Sequence, residues 1–320
     1  MKGNEAIAHA CIRCGADYSQ QEPMVTSYLS KDKKMQDAFI HGKDIYSTIA
    51  SLAFNKSYED CLEFRPDGTT NVRGKERRTQ AKSIVLGVLY GRQIPSIAEQ
   101  LGVSTKQAQV IYDKVLSAFT GLANFIDESQ DMARKYGYVT TAWGRRRHLT
   151  DMQLEPYEFK YSGNRVSFDP LNFNEDSSNE VPERIKKEYT KRLNKCKFYN
   201  DRLKIENELR SQGITVSYYT NKISQAERQC VNARVQGSAA DMAKLAMISI
   251  NNDEKMKELG FHLLIQVHDE VIGECPEENA KECAERLSYL MRTAPSHLIK
   301  LPFKCDVDLT YNWYGEKIEM

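Results

Sequence analysis

The sequence of 320 residues contains 41% hydrophobic residues, which excludes a globally disordered chain and is enough for a sizeable folded core. Its formal net charge is only +1, so any binding of a polyanion has to depend on local clusters of Lys and Arg. The first residues lack the apolar stretch of a signal peptide, and no apolar run approaches the ~18 residues that cross a membrane. We therefore expect a soluble, cytoplasmic protein with no membrane partner.

The first part of the chain is predicted to be one strand followed by a long helical region. The segment HACIRCGADY indicates a short strand that ends at Asp17. From about Lys31 to Tyr136 the pattern is mostly helical, and Ser104 with Gln107 three residues later predicts a capping box at a helix start. The β-branched and aromatic residues of YGYVTTAWGRRRHL then predict a pair of strands.

A block from 152 to 222 differs in character, and we interpret it as an insertion between two parts of one domain. It opens with the loop-like stretch SFDPLNFNEDSSNEVPE, and a charged helical pattern follows. Apolar residues in that pattern recur at spacings of three and four, which predicts a coiled-coil-like or core-docking face. The residues of this face are Ile185, Tyr189, Leu193, Cys196, Tyr199 and Leu203.

The last part of the chain is predicted to contain a long helix and a hairpin. The helix runs from Gln225 to about Ile250. The segment FHLLIQVHDEVIGEC follows, with two apolar runs on either side of a polar tip. This pattern predicts a β-hairpin with His268, Asp269 and Glu270 at or near its turn.

Four residues spaced by four in RRTQAKSIVLGVLYG form a chemically unusual stripe: Arg78, Lys82, Leu86 and Tyr90. In a helix each step of four turns the face by only ~40°, so their side chains follow one slowly drifting line. Two fixed charges, an apolar group and a phenol suit a phosphorylated, flat, aromatic ligand, although an amphipathic helix with a solvated basic side has the same pattern. The residues that fall off the stripe and are expected to face a core are Ile84, Val85, Val88 and Leu89.

Two aspartates at strand ends are candidate ligands of a divalent cation. Asp17 and Asp269 are far apart in sequence, but strands can bring both to one edge of a sheet. Converging carboxylates repel each other, and Mg²⁺ between them removes the repulsion while it binds substrate phosphates. Taken singly, Asp17 could cap the next helix and Asp269 could be a turn residue. Together with the basic stripe, the pair favours phosphoryl transfer.

Five segments in order resemble the palm and fingers of a family A DNA polymerase. DYSQQE resembles motif A, RRTQAKSIVLGVLYG motif B and VHDE motif C, while ERQCVNARVQGSAAD resembles the palm helix and WGRRR a template-contacting turn. The resemblance implies an α+β right-hand polymerase fold, with an antiparallel palm sheet and a helical fingers lobe, that lacks thumb and exonuclease. The implied division is palm at 1–30, 137–151 and 223–320, fingers at 31–136, and the charged helical insertion at 152–222.

The resemblance also implies a role for individual residues. Asp17, Asp269 and the carbonyl of Tyr18 would hold two Mg²⁺ ions, and Lys82 would join the two aspartates as a catalytic residue. Glu22 would crowd the 2′ position of the sugar, and Tyr90 would stack near the templating base. The nucleotide-binding set is Gln20, Glu22, Arg78, Lys82, Leu86 and Tyr90. The set that contacts primer-template DNA is Arg145, Arg146, Arg147, Arg228, Asn232, Gln236 and His268.

The sequence departs from the family pattern and leaves alternatives open. Leu86 stands where the family usually has Phe or Tyr, which could change nucleotide selectivity. Segments that usually precede motif A are missing, so a separate chain could supply the thumb or exonuclease, and this chain could be a partner-dependent or inactive DNA-binding subunit. A single-subunit RNA polymerase is a further alternative, which Glu22 disfavours because a ribose 2′-hydroxyl needs space.

Overall fold

The computed structural model describes residues 11–162, 180–313 and 315–318. It combines helices with an antiparallel sheet, which confirms the predicted α+β class. The strands are β1 (Cys11–Ser19), β2 (Tyr138–Thr140), β3 (Arg146–His148), β4 (Tyr157–Tyr161), β5 (Ile214–Tyr218), β6 (His262–Val267), β7 (Glu270–Pro276) and β8 (Lys304–Thr310). The largest sheet has the order β6-β7-β1-β8, so the first strand of the chain lies at its centre.

Helices make up most of the remainder. They are α1 (Gln21–Ser30), α2 (Lys33–Ile40), α3 (Ile45–Phe54), α4 (Val72–Leu89), α5 (Ile94–Leu101), α6 (Thr105–Ala118), α7 (Thr120–Tyr136), α8 (Glu183–Lys195), α9 (Tyr199–Ser211), α10 (Thr220–Asn252), α11 (Glu254–Glu258) and α12 (Ala280–Thr293). The main hydrophobic core joins the four-stranded sheet, α12, α10 and the helices before β2. None of the helices among the described residues is long and apolar enough to cross a membrane.

Strand β1 buries one face and exposes the other, as its alternating sequence requires. Ile12, Cys14, Ala16 and Tyr18 are buried, and α12 packs against β1 and β8. The opposite face of the strand carries Asp17. The prediction that the strand ends at Asp17 was wrong by two residues, because β8 continues to pair with β1 through Ser19.

Arg13 in the middle of β1 is accommodated by two neighbours. Its guanidinium lies 2.7 Å from the carboxylate of Glu270 on β7. The same guanidinium lies over the ring of Trp313, 5.0 Å from its centroid. A charged residue in this central strand therefore has a partner for its charge and an aromatic face for its planar group.

The predicted hairpin near the end of the chain is confirmed. Strands β6 and β7 pair antiparallel up to Val267 and Glu270, so His268 and Asp269 form the turn between them. His268 adopts a left-handed conformation with φ of 55°. The turn holds Asp269 at the end of the sheet that is level with Asp17, since Asp17 pairs with Glu270.

The helical predictions also hold, with one shift of boundary. Ser104 and Gln107 form the predicted capping box at the start of α6. The helix predicted from Gln225 begins five residues earlier, at Thr220, and its 33 residues make it about 50 Å long. The residues predicted to lie off the stripe of α4 are all buried: Ile84, Val85, Val88 and Leu89.

The block after residue 152 forms a small module with its own core. Strands β4 and β5 pair antiparallel, and α8 and α9 lie between them in sequence. Tyr189 and Leu193 are buried in a cluster separate from the main core, with Ile185 and Cys196 packed against it as predicted. Most of the predicted loop-like stretch lies outside the described residues.

The predicted apolar face does not continue to Tyr199, and that part of the prediction was wrong. Helix α8 ends at Lys195, and Cys196 has an extended backbone with ψ of 119°. A new helix begins at Tyr199, so the spacing of three and four no longer describes one face. Tyr199 is 72% exposed instead of packed.

Candidate active site

Acidic side chains converge at one end of the open face of the sheet. Asp17 on the central strand pairs with Glu270 on one side and with Asp306 on the other. The pKa of Asp17 is raised to about 6, first by partial burial and then by the charges of Asp269, Glu270 and Asp306. The structure therefore brings the two predicted aspartates, Asp17 and Asp269, within electrostatic reach of each other.

Of these four carboxylates, only that of Glu270 has a basic partner among the described residues. Glu270 is paired with Arg13, and Asp306 accepts a hydrogen bond of 2.6 Å from the hydroxyl of Ser19. Among the described residues, no Lys, Arg or His forms an ion pair with Asp17 or Asp269. Negative charge without a basic partner therefore lies on Asp306 and on the two residues that the sequence singled out, Asp17 and Asp269.

This donor set fits a hard cation that keeps open coordination positions. Within the described parts of the chain, no group of three or more His, Cys, Asp or Glu side chains is arranged to hold a metal ion. Mg²⁺ needs only one or two protein carboxylates, because water and substrate phosphates complete its octahedral shell. Asp17, Asp269 and the backbone carbonyl of Tyr18 supply oxygens of the kind that Mg²⁺ prefers.

The basic residues of the α4 stripe lie beside helix α3, and Arg78 is held in a bidentate pair. Its Nε and Nη2 atoms each donate a hydrogen bond of 3.0 Å to the carboxylate of Asp44. Gln20 donates to the same carboxylate from its Nε2 atom, at 3.0 Å. The ammonium of Lys82 is exposed and lies 5.8 Å from the ring centroid of Tyr46, which also faces Arg78.

The other end of the stripe forms a second polar cluster. The hydroxyl of Tyr90 donates a hydrogen bond of 2.7 Å to the carboxylate of Glu22. Gln236 on α10 donates from its amide nitrogen to Glu22 and to Tyr90, at 3.4 Å in both cases. Burial, followed by the hydrogen bond to Glu22, raises the pKa of Tyr90 to about 12. Leu86 is half-buried between this cluster and Lys82.

Three residues of the site were missed by reasoning from sequence: Asp44, Tyr46 and Asp306. Asp44 accepts a hydrogen bond from the amide of Ser47 at the start of α3, so a search for helix N-caps could have found it. Tyr46 is buried and has a raised pKa because of that burial and of the nearby Glu22 carboxylate. No local signal identifies Asp306, since its place depends on the order of strands in the sheet.

Most of the predicted DNA-contacting residues line one open cleft of about 550 Å³, bounded by the β2–β3 turn and α10. Arg145 lies 2.7 Å from Asp241 on α10, and Arg146 stacks 4.7 Å from the ring centroid of Tyr138. The Oδ1 atom of Asn232 is buried without a hydrogen-bond partner. The predicted residues in the cleft are Arg145, Arg146, Arg147, Asn232 and Gln236.

Two predicted DNA-contacting residues lie elsewhere. Arg228 packs against Gly91 at the end of α4 and lines a separate cleft. His268 is exposed in the β6–β7 turn, beside Asp269. The predicted set therefore falls in three places: the cleft along α10, the separate cleft at Arg228, and the turn beside the carboxylates.

Comparisons with known proteins agree on one family. The model of DNA polymerase family A matches residues 6–169 and 178–315. DNA polymerase I of Chloroflexus aurantiacus is 28% identical over 298 residues, which are 93% of this chain and 24% of that protein. DNA polymerase I of Streptococcus pneumoniae is 29% identical over 308 residues, 96% of this chain and 26% of that protein.

A solved structure extends the likeness to three dimensions. The POL domain of Pol1 from M. smegmatis, in complex with DNA primer-template and dNTP, is 26% identical with a TM-score of 0.66. The match covers 96% of this chain and 40% of that one. The chain spans only about a quarter of the length of these curated relatives, 24% and 26%.

Proposed function

Because this chain belongs to DNA polymerase family A, we propose that it adds deoxynucleotides to the 3′-hydroxyl of a primer on a DNA template and releases pyrophosphate. The observation that carries this proposal is the convergence of Asp17 and Asp269 at one end of the sheet, within electrostatic reach of each other. The complex of the M. smegmatis domain with DNA primer-template and dNTP supports the same substrates for this chain.

Asp17, Asp269 and the carbonyl of Tyr18 are the groups that would hold two Mg²⁺ ions. When bound, these ions lower the pKa of the attacking hydroxyl and stabilise charge on the leaving phosphate oxygen. The role of the protein is positional, because β1 and the β6–β7 turn fix the two carboxylates before substrate arrives. Their mutual repulsion disfavours the free site relative to the loaded one.

Arg78 and Lys82 would grip the triphosphate of the incoming nucleotide. Arg78 has Nε and Nη2 on Asp44, and its Nη1 lies 3.8 Å from the carboxylate of Glu63, so phosphate would bind the N–H groups that these two carboxylates leave over. The exposed Lys82 ammonium can neutralise the departing pyrophosphate. Gln20 and Asp44 act through Arg78 and orient its guanidinium. Leu86 would contact the nucleotide with aliphatic bulk in place of a flat ring.

Glu22 and Tyr90 would select the sugar of the nucleotide. The hydrogen bond between them fixes both side chains at the end of the stripe, and Gln236 ties the pair to α10. A side chain held in this way resists displacement by a ribose 2′-hydroxyl. We expect deoxynucleotides to be preferred for this reason.

The cleft between the β2–β3 turn and α10 would hold primer-template DNA. Its arginines would supply phosphate contacts. Arg228 and His268 would contact DNA outside this cleft. We assign the palm to 1–30, 137–151 and 223–320, the fingers to 31–136 and the insertion to 152–222.

Primer extension by the 320-residue chain, with Mg²⁺ and four deoxynucleotides at low salt, tests the proposal. In the variant Asp269→Asn we expect turnover to fall by about 1,000-fold, which corresponds to about 4 kcal/mol of transition-state stabilisation. The affinity of this variant for primer-template DNA should stay close to that of the wild type, as measured by fluorescence anisotropy.

Asp308→Asn is the matched control, because Asp308 lies on the same sheet but is paired with Lys317 at 2.6 Å. It should extend primers at the wild-type rate. Near-normal turnover of Asp269→Asn would show that the cation assignment is wrong. If the wild-type chain binds DNA but extends no primer, the catalytic groups are incomplete in this chain, and the partner-dependent alternative holds.

A further inference from the structure

Helix α8 of the insertion carries a row of positive charge on the side away from its core. The row, here called the basic ridge, consists of Arg184, Lys187, Lys191 and Lys195, which are all exposed. Their spacings of three, four and four place them within about 80° on one face of the helix. Along the axis the ridge is about 17 Å long.

No acidic side chain among the described residues pairs with the basic ridge. The acidic residues of α8 pair with basic side chains outside the ridge: Glu183 with Lys186 and Glu188 with Arg192, each at 3.9 Å. Like charges one helical turn apart repel each other, so the ridge is unfavourable until a polyanion neutralises it. From 184 to 204 the chain has nine basic and two acidic residues, although its overall net charge is only +1.

Two exposed aromatic side chains lie at the end of the basic ridge. Phe198 and Tyr199, here called the aromatic tip, are each 72% exposed at the start of α9, just after the break that follows α8. Lys195 and Lys197 precede them directly in sequence. Aromatic rings beside cations form the kind of surface on which the bases of a single strand stack while its phosphates are neutralised.

The aromatic tip favours a single strand over a duplex. Bases in a duplex are already stacked on each other and present only their edges, so Phe198 and Tyr199 would find no free base face there. Unpaired bases offer both faces. The basic ridge can neutralise phosphates, and the aromatic tip can stack on bases. This combination therefore matches single-stranded nucleic acid better than it matches duplex DNA or an acidic protein.

The insertion joins the rest of the chain close to the DNA cleft. The amide of Tyr219 donates to the carbonyl of Pro156 at 3.0 Å, so both ends of the insertion meet at the start of α10. Gln236, which lines the cleft, lies sixteen residues along that helix from Thr220, or about 24 Å. The length of α10 from Thr220 to Gln236 therefore corresponds to about seven stacked nucleotides at 3.4 Å per nucleotide.

We propose that the basic ridge and the aromatic tip bind single-stranded DNA, namely the unpaired template next to the polymerase cleft. This proposal rests on the proposed function for the identity of the strand. It assigns to the insertion a binding surface outside the cleft that the family resemblance does not supply.

Fluorescence anisotropy of a labelled 30-nucleotide oligothymidylate, measured at several salt concentrations, tests the proposal on the full chain. The ridge variant is Lys187→Gln, Lys191→Gln and Lys195→Gln, and the tip variant is Phe198→Ala with Tyr199→Ala. The ridge variant should bind up to about 100-fold more weakly at 0.1 M salt, and the slope of log affinity against log salt should be about 2 smaller. The tip variant should bind about 10-fold more weakly with the slope unchanged.

The matched control is Lys33→Gln, Lys281→Gln and Lys300→Gln, which removes the same charge from exposed lysines outside the insertion. It should bind oligothymidylate as the wild type does. The proposal is overturned if the ridge variant behaves like this control. It is also overturned if the ridge variant loses as much affinity for a blunt 30-base-pair duplex as for the single strand.

Primer extension separates this proposal from the proposed function. On templates with a long single-stranded overhang, the KM for DNA should rise in the ridge and tip variants, while kcat stays unchanged. On a hairpin primer-template with a two-nucleotide overhang, neither value should change. If the wild-type chain extends no primer, the proposed function fails, and the binding measurements still decide whether this surface recognises single-stranded DNA.

Discussion

Asp17 illustrates how a residue with a proposed role in cation binding can oppose the stability of its own fold. Its pKa is raised to about 6 by partial burial and by neighbouring carboxylates, so the folded protein holds this proton more tightly than the unfolded chain. An acid with a raised pKa destabilises the folded state above that pKa, and the effect fades as the pH falls towards the ordinary value of about 3.8. A bound cation would remove the same repulsion.

We therefore predict that Asp17→Asn stabilises the metal-free protein at pH 7. After allowance for solvent screening at this exposed carboxylate, the free energy of unfolding should rise by about 1 kcal/mol, which corresponds to roughly 2 °C in Tm. The difference should narrow as the pH is lowered from 7 towards 5. Adding Mg²⁺ should raise the Tm of the wild type and leave that of Asp17→Asn unchanged.

Thermal melts followed by circular dichroism measure these differences. Asp308→Asn again serves as the control. Because Asp308 is paired with Lys317, removing its charge does not reduce electrostatic repulsion in the folded protein. A variant Asp17→Asn that melts at or below the wild-type temperature at pH 7 would contradict the electrostatic account.

Glu22 gives a second prediction at the scale of one residue. Its carboxylate is fixed by Tyr90 at 2.7 Å, and removing it in Glu22→Ala should open space beside the sugar. We expect incorporation of ribonucleotides, relative to deoxynucleotides, to rise at least about 10-fold, or about 1.4 kcal/mol in discrimination. The ratio of kcat/KM for the two nucleotide types is the measurement.

Tyr90→Phe is informative beside Glu22→Ala, because it removes the hydrogen bond but keeps the ring and the carboxylate. Its effect on sugar discrimination should be smaller. If the wild type already uses both nucleotide types equally, Glu22 does not select the sugar, and a single-subunit RNA polymerase becomes the better description.

At the scale of elements, the junction between α4 and α10 depends on a glycine. Gly91 has φ of +61°, and a Cβ at this position would lie 2.8 Å from both the Cα and the Cβ of Arg228. The structure shows that Gly91 admits the backbone of α10, while Gly87 faces the side chain of Ile97.

Gly91→Ala should therefore destabilise the fold by more than backbone strain alone. Left-handed strain costs about 1 kcal/mol, and overpacking against α10 adds roughly 1–3 kcal/mol, as in well-packed cores. Gly102→Ala is the control, since Gly102 has φ of +65° and a methyl group added there would have nothing within 4 Å. Urea unfolding should show a larger loss in the free energy of unfolding for Gly91→Ala than for Gly102→Ala. Equal losses in the two variants would show that packing at this junction is loose.

At the scale of the whole molecule, the insertion is a separate packing unit. Its buried residues form their own cluster, and its ends are joined by the bond between Tyr219 and Pro156. Replacing residues 157–218 with a short Gly-Ser linker should therefore leave the rest of the chain folded. We expect Tm to change by less than about 2 °C, which corresponds to about 1 kcal/mol in the free energy of unfolding.

The deletion variant also separates the proposed nucleotide addition from the proposed binding of single-stranded template. Extension of a saturating short-overhang substrate should persist, while affinity for oligothymidylate should fall as in the ridge variant. A deletion variant that fails to fold would show that the insertion stabilises the main core and is not an independent unit. Circular dichroism before the activity assay decides which case applies.

The order of the motifs implied the class of fold through the family resemblance, and the sequence by itself determined the hairpin turn at His268 and Asp269 and the buried side of α4. The turn and the buried side depend on local periodicity and turn chemistry, which neighbouring residues carry. The tertiary structure alone decided that Asp306 lies beside Asp17, that Asp44 holds Arg78, and that Tyr199 is exposed. Strand order, contacts between distant helices and the break after α8 arise from packing across the chain, so spacing in the sequence does not encode them.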